Sequence, residues 1–121
     1  MAMKYHSTRG SELVEFETAV MSGLARDGGL FLPQFVPDVR ADLAAWSALT
    51  YPELALELIG KFADLPRECL RALVAESYAS FRHKDVTPVV TLGDLHVLEL
   101  FHGPTLAFKD VALQFLGRLF E

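Results

Sequence analysis

Lys109 lies in the stretch FHGPTLAFKDVALQFLGRLFE, residues 101–121, and is the residue of this chain best suited to covalent chemistry. A lysine amine is a nucleophile only when neutral, and desolvation and nearby positive potential both favour that form. The first turn of an apolar helix supplies both, although a cation there opposes the helix macrodipole by a few tenths to about 1 kcal/mol. Such an amine can form a Schiff base with an aldehyde and later move protons on the same substrate. The structural alternative is a side chain that snorkels to water, with Asp110 as a local ion-pair partner. No spacing rule singles out a Schiff-base lysine, so both readings stand on residue types alone.

Ser7, Thr8, Arg9 and Gly10 form the other polar cluster, which reads structurally as a capped turn carrying a surface arginine. His6, His83 and His96 have no metal-ligand spacing, so no metal site is expected, and no serine triad assembles convincingly from Ser7 and distant acids. The single cysteine, Cys69, excludes an internal disulfide and a thiolate zinc site. It follows a helical pattern beside Leu70, Leu73 and Val74 and is expected to be buried. The net charge of -5 comes from acids spread along the chain, which argues against nucleic acid as a partner. Apolar runs are broken within a few residues, far short of the ~20 that a membrane span needs, and MAMKYHSTRG lacks a signal peptide's apolar stretch. A reducing cytoplasm is the expected location.

The elements that must position these residues follow from pattern. With 121 residues, 51% of them hydrophobic, the chain can bury a real core. Lys4 to Thr8 reads as extended, and a helix from about Phe16 carries Ala19, Val20, Gly23 and Leu24 on one face. Asp27-Gly28-Gly29 breaks it, and Leu30 to Leu32 reads as a short buried strand ended by Pro33. Pro37 opens a helix through Trp46. Thr50 and Glu53 make a capping box for a helix that Gly60 ends, and Pro66 begins another whose stripe is Leu70, Leu73, Val74, Tyr78 or Ser77, and Phe81. From Arg82 the pattern changes: a hairpin from Val89 to Phe101 turns at Gly93-Asp94, and a last helix runs from about Leu106 with Thr105 as N-cap. Asp110, Gln114 and Arg118 are its polar stripe, and so apolar a helix is expected to be buried from several sides.

FHGPTLAFKD closely resembles the segment carrying the pyridoxal phosphate lysine in the threonine synthase family, part of the tryptophan-synthase-β-like group of pyridoxal phosphate enzymes. KYHSTRG resembles that family's N-terminal strand, and FETAVMSGLARDGGLFLP its first helix and strand, in family order over nearly the whole chain. The implied fold class is α+β. Residues 1–85 would be a helix-rich N-terminal domain with short strands, and residues 86–121 a β-hairpin and first helix opening a truncated α/β pyridoxal-phosphate domain. The resemblance implies that Lys109 holds the cofactor as a Schiff base, that Phe108 lies beside it, and that His102 to Thr105 form the turn that places the lysine. It also implies that Ser7, Thr8 and Arg9 lie near the active-site entrance, where an arginine can bind a substrate phosphate through paired N–H donors.

The implied reaction is that of a lyase of threonine biosynthesis, converting O-phospho-L-homoserine and water to L-threonine and phosphate. The apolar last helix stops at Glu121 with no strand following, so the chain is expected to be a fragment. Its eight glycines are scattered and form no glycine-rich phosphate loop. Little or no cofactor binding and no turnover are expected of these residues alone. Two alternatives stay open: a threonine-synthase-like phospholyase that eliminates phosphate without making threonine, and a non-catalytic interaction module whose last helix associates with itself or with another chain.

Overall fold

The computed structural model describes residues 2–121, which form two compact units. The first comprises the chain up to Ala48 together with Glu57–Pro66, and the second Leu49–Leu56 together with Arg67–Glu121. The mixture of short strands and helices is the expected α+β class.

In the first unit, β1 (Lys4–Ser7) is the central strand of an antiparallel sheet, between β2 (Leu13–Glu15) and β3 (Phe31–Pro33). Tyr5 lies opposite Val14 on one side and Pro33 on the other, and Lys4 Nζ meets Glu15 Oε1 at 2.8 Å. A three-residue strand is too short to show alternation, so β2 left no periodic signal in the sequence. Helix α1 (Phe16–Ser22) starts where its apolar spacing predicts and stops at Gly23, whose φ of 67° suits glycine. β3 was expected to be buried, but as an edge strand it leaves Leu32 46% exposed. The predicted helix from Pro37 is reduced to the single turn α2 (Leu43–Trp46). Asp38 explains the difference: its carboxylate accepts bonds from the Arg40 N–H at 3.1 Å and Nε at 2.9 Å, closing a local turn that competes with helical bonding. The Tyr5 hydroxyl donates to Phe62 O at 2.6 Å, and burial pushes its pKa up.

Helix α3 (Tyr51–Ile59) passes from the second unit into the first and stops before Gly60. Its cap departs from the reciprocal box: Glu53 Oε2 accepts both the Thr50 N–H, at 2.8 Å, and the Thr50 hydroxyl, at 2.7 Å.

The core of the second unit lies on α4 (Arg67–Ala79), where Leu70, Val74, Ser77 and Tyr78 are buried as the helical stripe predicts. Tyr78 meets Tyr51 edge-on at 5.0 Å and Phe81 at 5.6 Å, geometries that aromatic rings prefer. Cys69, expected inside, is exposed: it sits one residue, about 100° of rotation, from Leu70 and falls outside the buried stripe. Strands β4 (Val89–Leu92) and β5 (Leu95–Leu98) pair with Leu92 opposite Leu95, so Gly93-Asp94 is a two-residue turn. Only the first turn residue, Gly93 at φ 60°, has positive φ, the pattern of a type II′ hairpin.

The last helix, α5 (Asp110–Leu119), begins about four residues later than expected. It packs beside α4, and the Tyr78 hydroxyl donates to Val111 O at 3.0 Å. Burial pushes the Tyr78 hydroxyl far above the ordinary phenol range. Contrary to the expectation of burial on several sides, Leu113, Leu116 and Phe120 are exposed and only Asp110 of this helix is buried. Contact with α4 covers one side only. Among the described residues no helix is long and apolar enough to cross a membrane.

Candidate active site

The segment from Gly103 to Lys109 is wound around one carboxylate. Asp110, the first residue of α5, is 2% exposed. Its Oδ2 accepts the Thr105 N–H at 2.8 Å, and the Thr105 hydroxyl lies 2.9 Å from both oxygens. Gln114 Nε2 donates to Oδ1 at 3.3 Å from the next turn of the helix. Burial pushes the Asp110 carboxyl up, but the bonds from Thr105, Gln114 and the Ala107 backbone together hold it below its ordinary value.

Thr105 was expected to cap the helix with its oxygen. Instead the carboxylate captures both its N–H and its hydroxyl, and this explains the later helix start. Two backbone features make the winding possible. A Cβ on Gly103 would fall 2.4 Å from the Asp110 Cβ, so no side chain fits there. Leu106 adopts φ 64°, in the left-handed region that a leucine occupies only when its surroundings force it.

Lys109 follows at the N-cap position in helical conformation, its carbonyl already accepting the Leu113 N–H at 2.8 Å. Its side chain is exposed and makes no hydrogen bond or ion pair among the described residues. The local pair with Asp110 is absent, because Asp110 turns inward to Thr105 and Gln114. Beside the lysine is a recess of 360 Å³ lined by Leu100, Phe108, Lys109, Val111, Ala112 and Leu113. Two other lysines differ: Lys4 pairs with Glu15, and Lys61 lies over the Trp46 ring at 5.8 Å.

Ser7, Thr8 and Arg9 come together in the first unit, in a loop built on a second carboxylate. The Ser7 hydroxyl donates to Asp27 Oδ1 at 2.6 Å and accepts the Arg9 N–H at 3.1 Å, while the Gly29 N–H donates to the same Asp27 oxygen at 2.9 Å. Thr8 Oγ1 accepts the Leu30 N–H at 3.1 Å. Ser7 and Thr8 are therefore occupied in holding the loop. Arg9 is exposed, gives one guanidinium N–H to Asp27 O at 3.2 Å, and makes no ion pair within 4.0 Å among the described residues. The Ser7 hydroxyl and the Gly29 N–H lower the Asp27 pKa. A recess of 380 Å³ beside this loop has Arg26, Asp27, Glu12 and Ser7 in its wall.

Asp27 and the clasping role of Asp110 were not legible as site residues. Asp27 reads as an ordinary turn former, and its partner Ser7 is 20 positions away. The available signal at Asp110 was Gly103, whose lack of a side chain fits a close approach. Among the described residues there is no group of side chains that could hold a metal ion.

Comparison with known proteins places these features in context. A family model described as the threonine synthase N terminus matches residues 4–78. A threonine synthase of Eremothecium gossypii is 49% identical over 133 residues, covering 100% of this chain and 26% of its own length. The structure of PLP-bound threonine synthase from Brucella melitensis superposes with a TM-score of 0.91 at 46% identity, covering 98% of this chain and 26% of that one. Threonine synthase from yeast gives a TM-score of 0.90 at 46% identity, with 97% and 25% covered. The chain thus spans about a quarter of the length of these relatives.

Proposed function

The chain belongs to the threonine synthase family through its N-terminal region, and from that premise we propose that it is the leading part of a pyridoxal-phosphate-dependent lyase. The proposed enzyme converts O-phospho-L-homoserine and water to L-threonine and phosphate, in the cytoplasm. One observation carries the assignment of Lys109: its amine is unpaired beside an apolar recess, and the adjacent carboxylate is engaged elsewhere.

The residues fit the covalent half of a pyridoxal phosphate site. Lys109 offers the amine, and Phe108, 65% exposed at the edge of the recess, offers an apolar surface for the ring. When bound, the cofactor supplies an electron sink for carbanions at the substrate's amino-acid carbons. Lys109 would hold the cofactor, release it to the substrate amine, and carry protons as an acid-base group once freed. The Leu100, Val111 and Leu113 side chains form an apolar wall beside the amine. Among Ser7, Thr8 and Arg9, the arginine retains donors for a substrate phosphate, and the two hydroxyl residues set its loop.

Within this reading, residues 1–85 are the family's leading domain and residues 86–121 open the cofactor domain. The 121 residues alone would bind pyridoxal phosphate weakly, if at all, and turn nothing over. The exposed Leu113, Leu116 and Phe120 would drive self-association of the isolated chain; a strict monomer at high concentration overturns that point.

The test of function is to feed O-phospho-L-homoserine to the full-length gene product and identify the products. Threonine with phosphate supports the proposal, and a keto acid with phosphate assigns a phospholyase instead. Lys109→Ala is expected to reduce kcat by on the order of a thousandfold; a rate equal to that of the parent overturns the role of Lys109.

A further inference from the structure

We propose that Asp110 is a positioning residue for Lys109: its clasp on Thr105, closed against Gly103, fixes residues 103–109 and so the direction in which the Lys109 side chain leaves the start of α5. The proposal rests on the reading of Lys109 as the cofactor lysine.

The loop's own preferences do not account for its path. Leu106 sits at φ 64°, a conformation that costs an L-residue energy and persists only where the surroundings over-determine it. The surrounding constraints converge on Asp110. Thr105, one residue before the strained position, gives its N–H and hydroxyl to the carboxylate, and the Leu106 N–H is held by Gly103 O at 3.2 Å. The Asp110 N–H reaches back to Ala107 O at 3.1 Å, so the segment is closed from both ends. Gly103 completes the ring, since the space its Cβ would need is filled by Asp110.

Lys109 is the residue immediately before this anchor. With its φ at −62° and ψ at −23°, its Cα–Cβ direction is set by the helix, and the helix start is set by the clasp. The same bonds direct the carboxylate away from the amine. Both oxygens take the Thr105 hydroxyl and Oδ1 also takes Gln114, so a charge next to the lysine in sequence does not pair with it. Asp110 therefore places the amine without neutralising it.

The test uses the full-length protein with added pyridoxal 5′-phosphate, borohydride reduction and peptide mapping. The readout is the ratio of adduct at Lys109 to adduct at Lys84, a surface lysine that serves as internal reference. A misplaced reacting group loses on the order of a hundredfold, so Asp110→Asn and Thr105→Val are each expected to lower the ratio toward that extent, while Thr105→Ser preserves it. Circular dichroism checks that each variant is folded; if Asp110→Asn is not, the valine and serine variants decide by themselves. A ratio unchanged by these substitutions overturns the positioning role and leaves the Lys109 assignment standing. A parent protein with no preference for Lys109 overturns that assignment and, with it, this proposal.

Discussion

The Asp27 loop and the Asp110 loop use the same parts for different ends. Each has a carboxylate accepting a hydroxyl and a backbone N–H, each carboxyl is held below its ordinary pKa, and each has a glycine where a side chain would collide. They differ in reach. Asp27 ties to Ser7 across 20 residues, joining two separate segments of the first unit, whereas Asp110 ties to Thr105 across five. They differ also in burial, Asp110 being buried and Asp27 exposed. The long-range tie assembles the fold, and the short-range tie shapes a few residues of chain beside a lysine.

The largest expected effect tests how the two glycines are confined. At Gly103 a new Cβ meets the Asp110 Cβ, an atom fixed to the backbone of α5; at Gly29 it meets Ser7 Oγ at 2.0 Å, a side-chain atom that can move by giving up its bonds to Asp27 and Arg9. Gly103→Ala is therefore expected to cost about 1–3 kcal/mol in denaturant titrations, and Gly29→Ala less. A larger loss at Gly29 would break the contrast.

Next comes the tie beneath the Asp110 loop. Tyr78→Phe removes the hydrogen bond to Val111 O and is expected to cost about 1 kcal/mol by the same titration. No change in the midpoint would mean that this bond does not stabilise the α4–α5 packing.

Acid probes both loops together. Each carboxyl has a folded pKa below the unfolded value of about 3.9, so its contribution is complete above that value and is lost as pH falls through the folded one. Stability should decline below about pH 4, and Asp27→Asn and Asp110→Asn should each flatten the decline. A variant as acid-sensitive as the parent would show that its carboxylate does not contribute.

The smallest effect is at Thr8, which accepts one exposed N–H. Thr8→Val should shift the melting temperature less than Thr105→Val, which removes a buried carboxylate's hydroxyl partner. Equal shifts would dissolve the distinction.

Periodicity made much of the frame legible. The start of α1 at Phe16, the α4 stripe from Leu70 to Tyr78 and the turn at Gly93 follow from repeating spacing or from one residue type with a definite backbone preference. The misses have a different character. A three-residue strand has no period, and the Asp38 turn and the Asp110 clasp depend on side chains choosing a local backbone group over the helical one. At the site, Lys109 was conspicuous as a charge among apolar neighbours. Its exposure and the inward turn of Asp110 were not, because they depend on where the chain bends at Leu106, and leucine carries no signal for a left-handed bend.

The outward-facing Cys69 has a practical consequence. It is the only thiol of the chain, so air oxidation would link two copies covalently through α4 and yield a dimer in gel filtration independent of any apolar face of α5. The same thiol gives a single attachment point for a fluorophore on the helix whose Tyr78 holds α5. A probe there would report changes in that packing without a second engineered site.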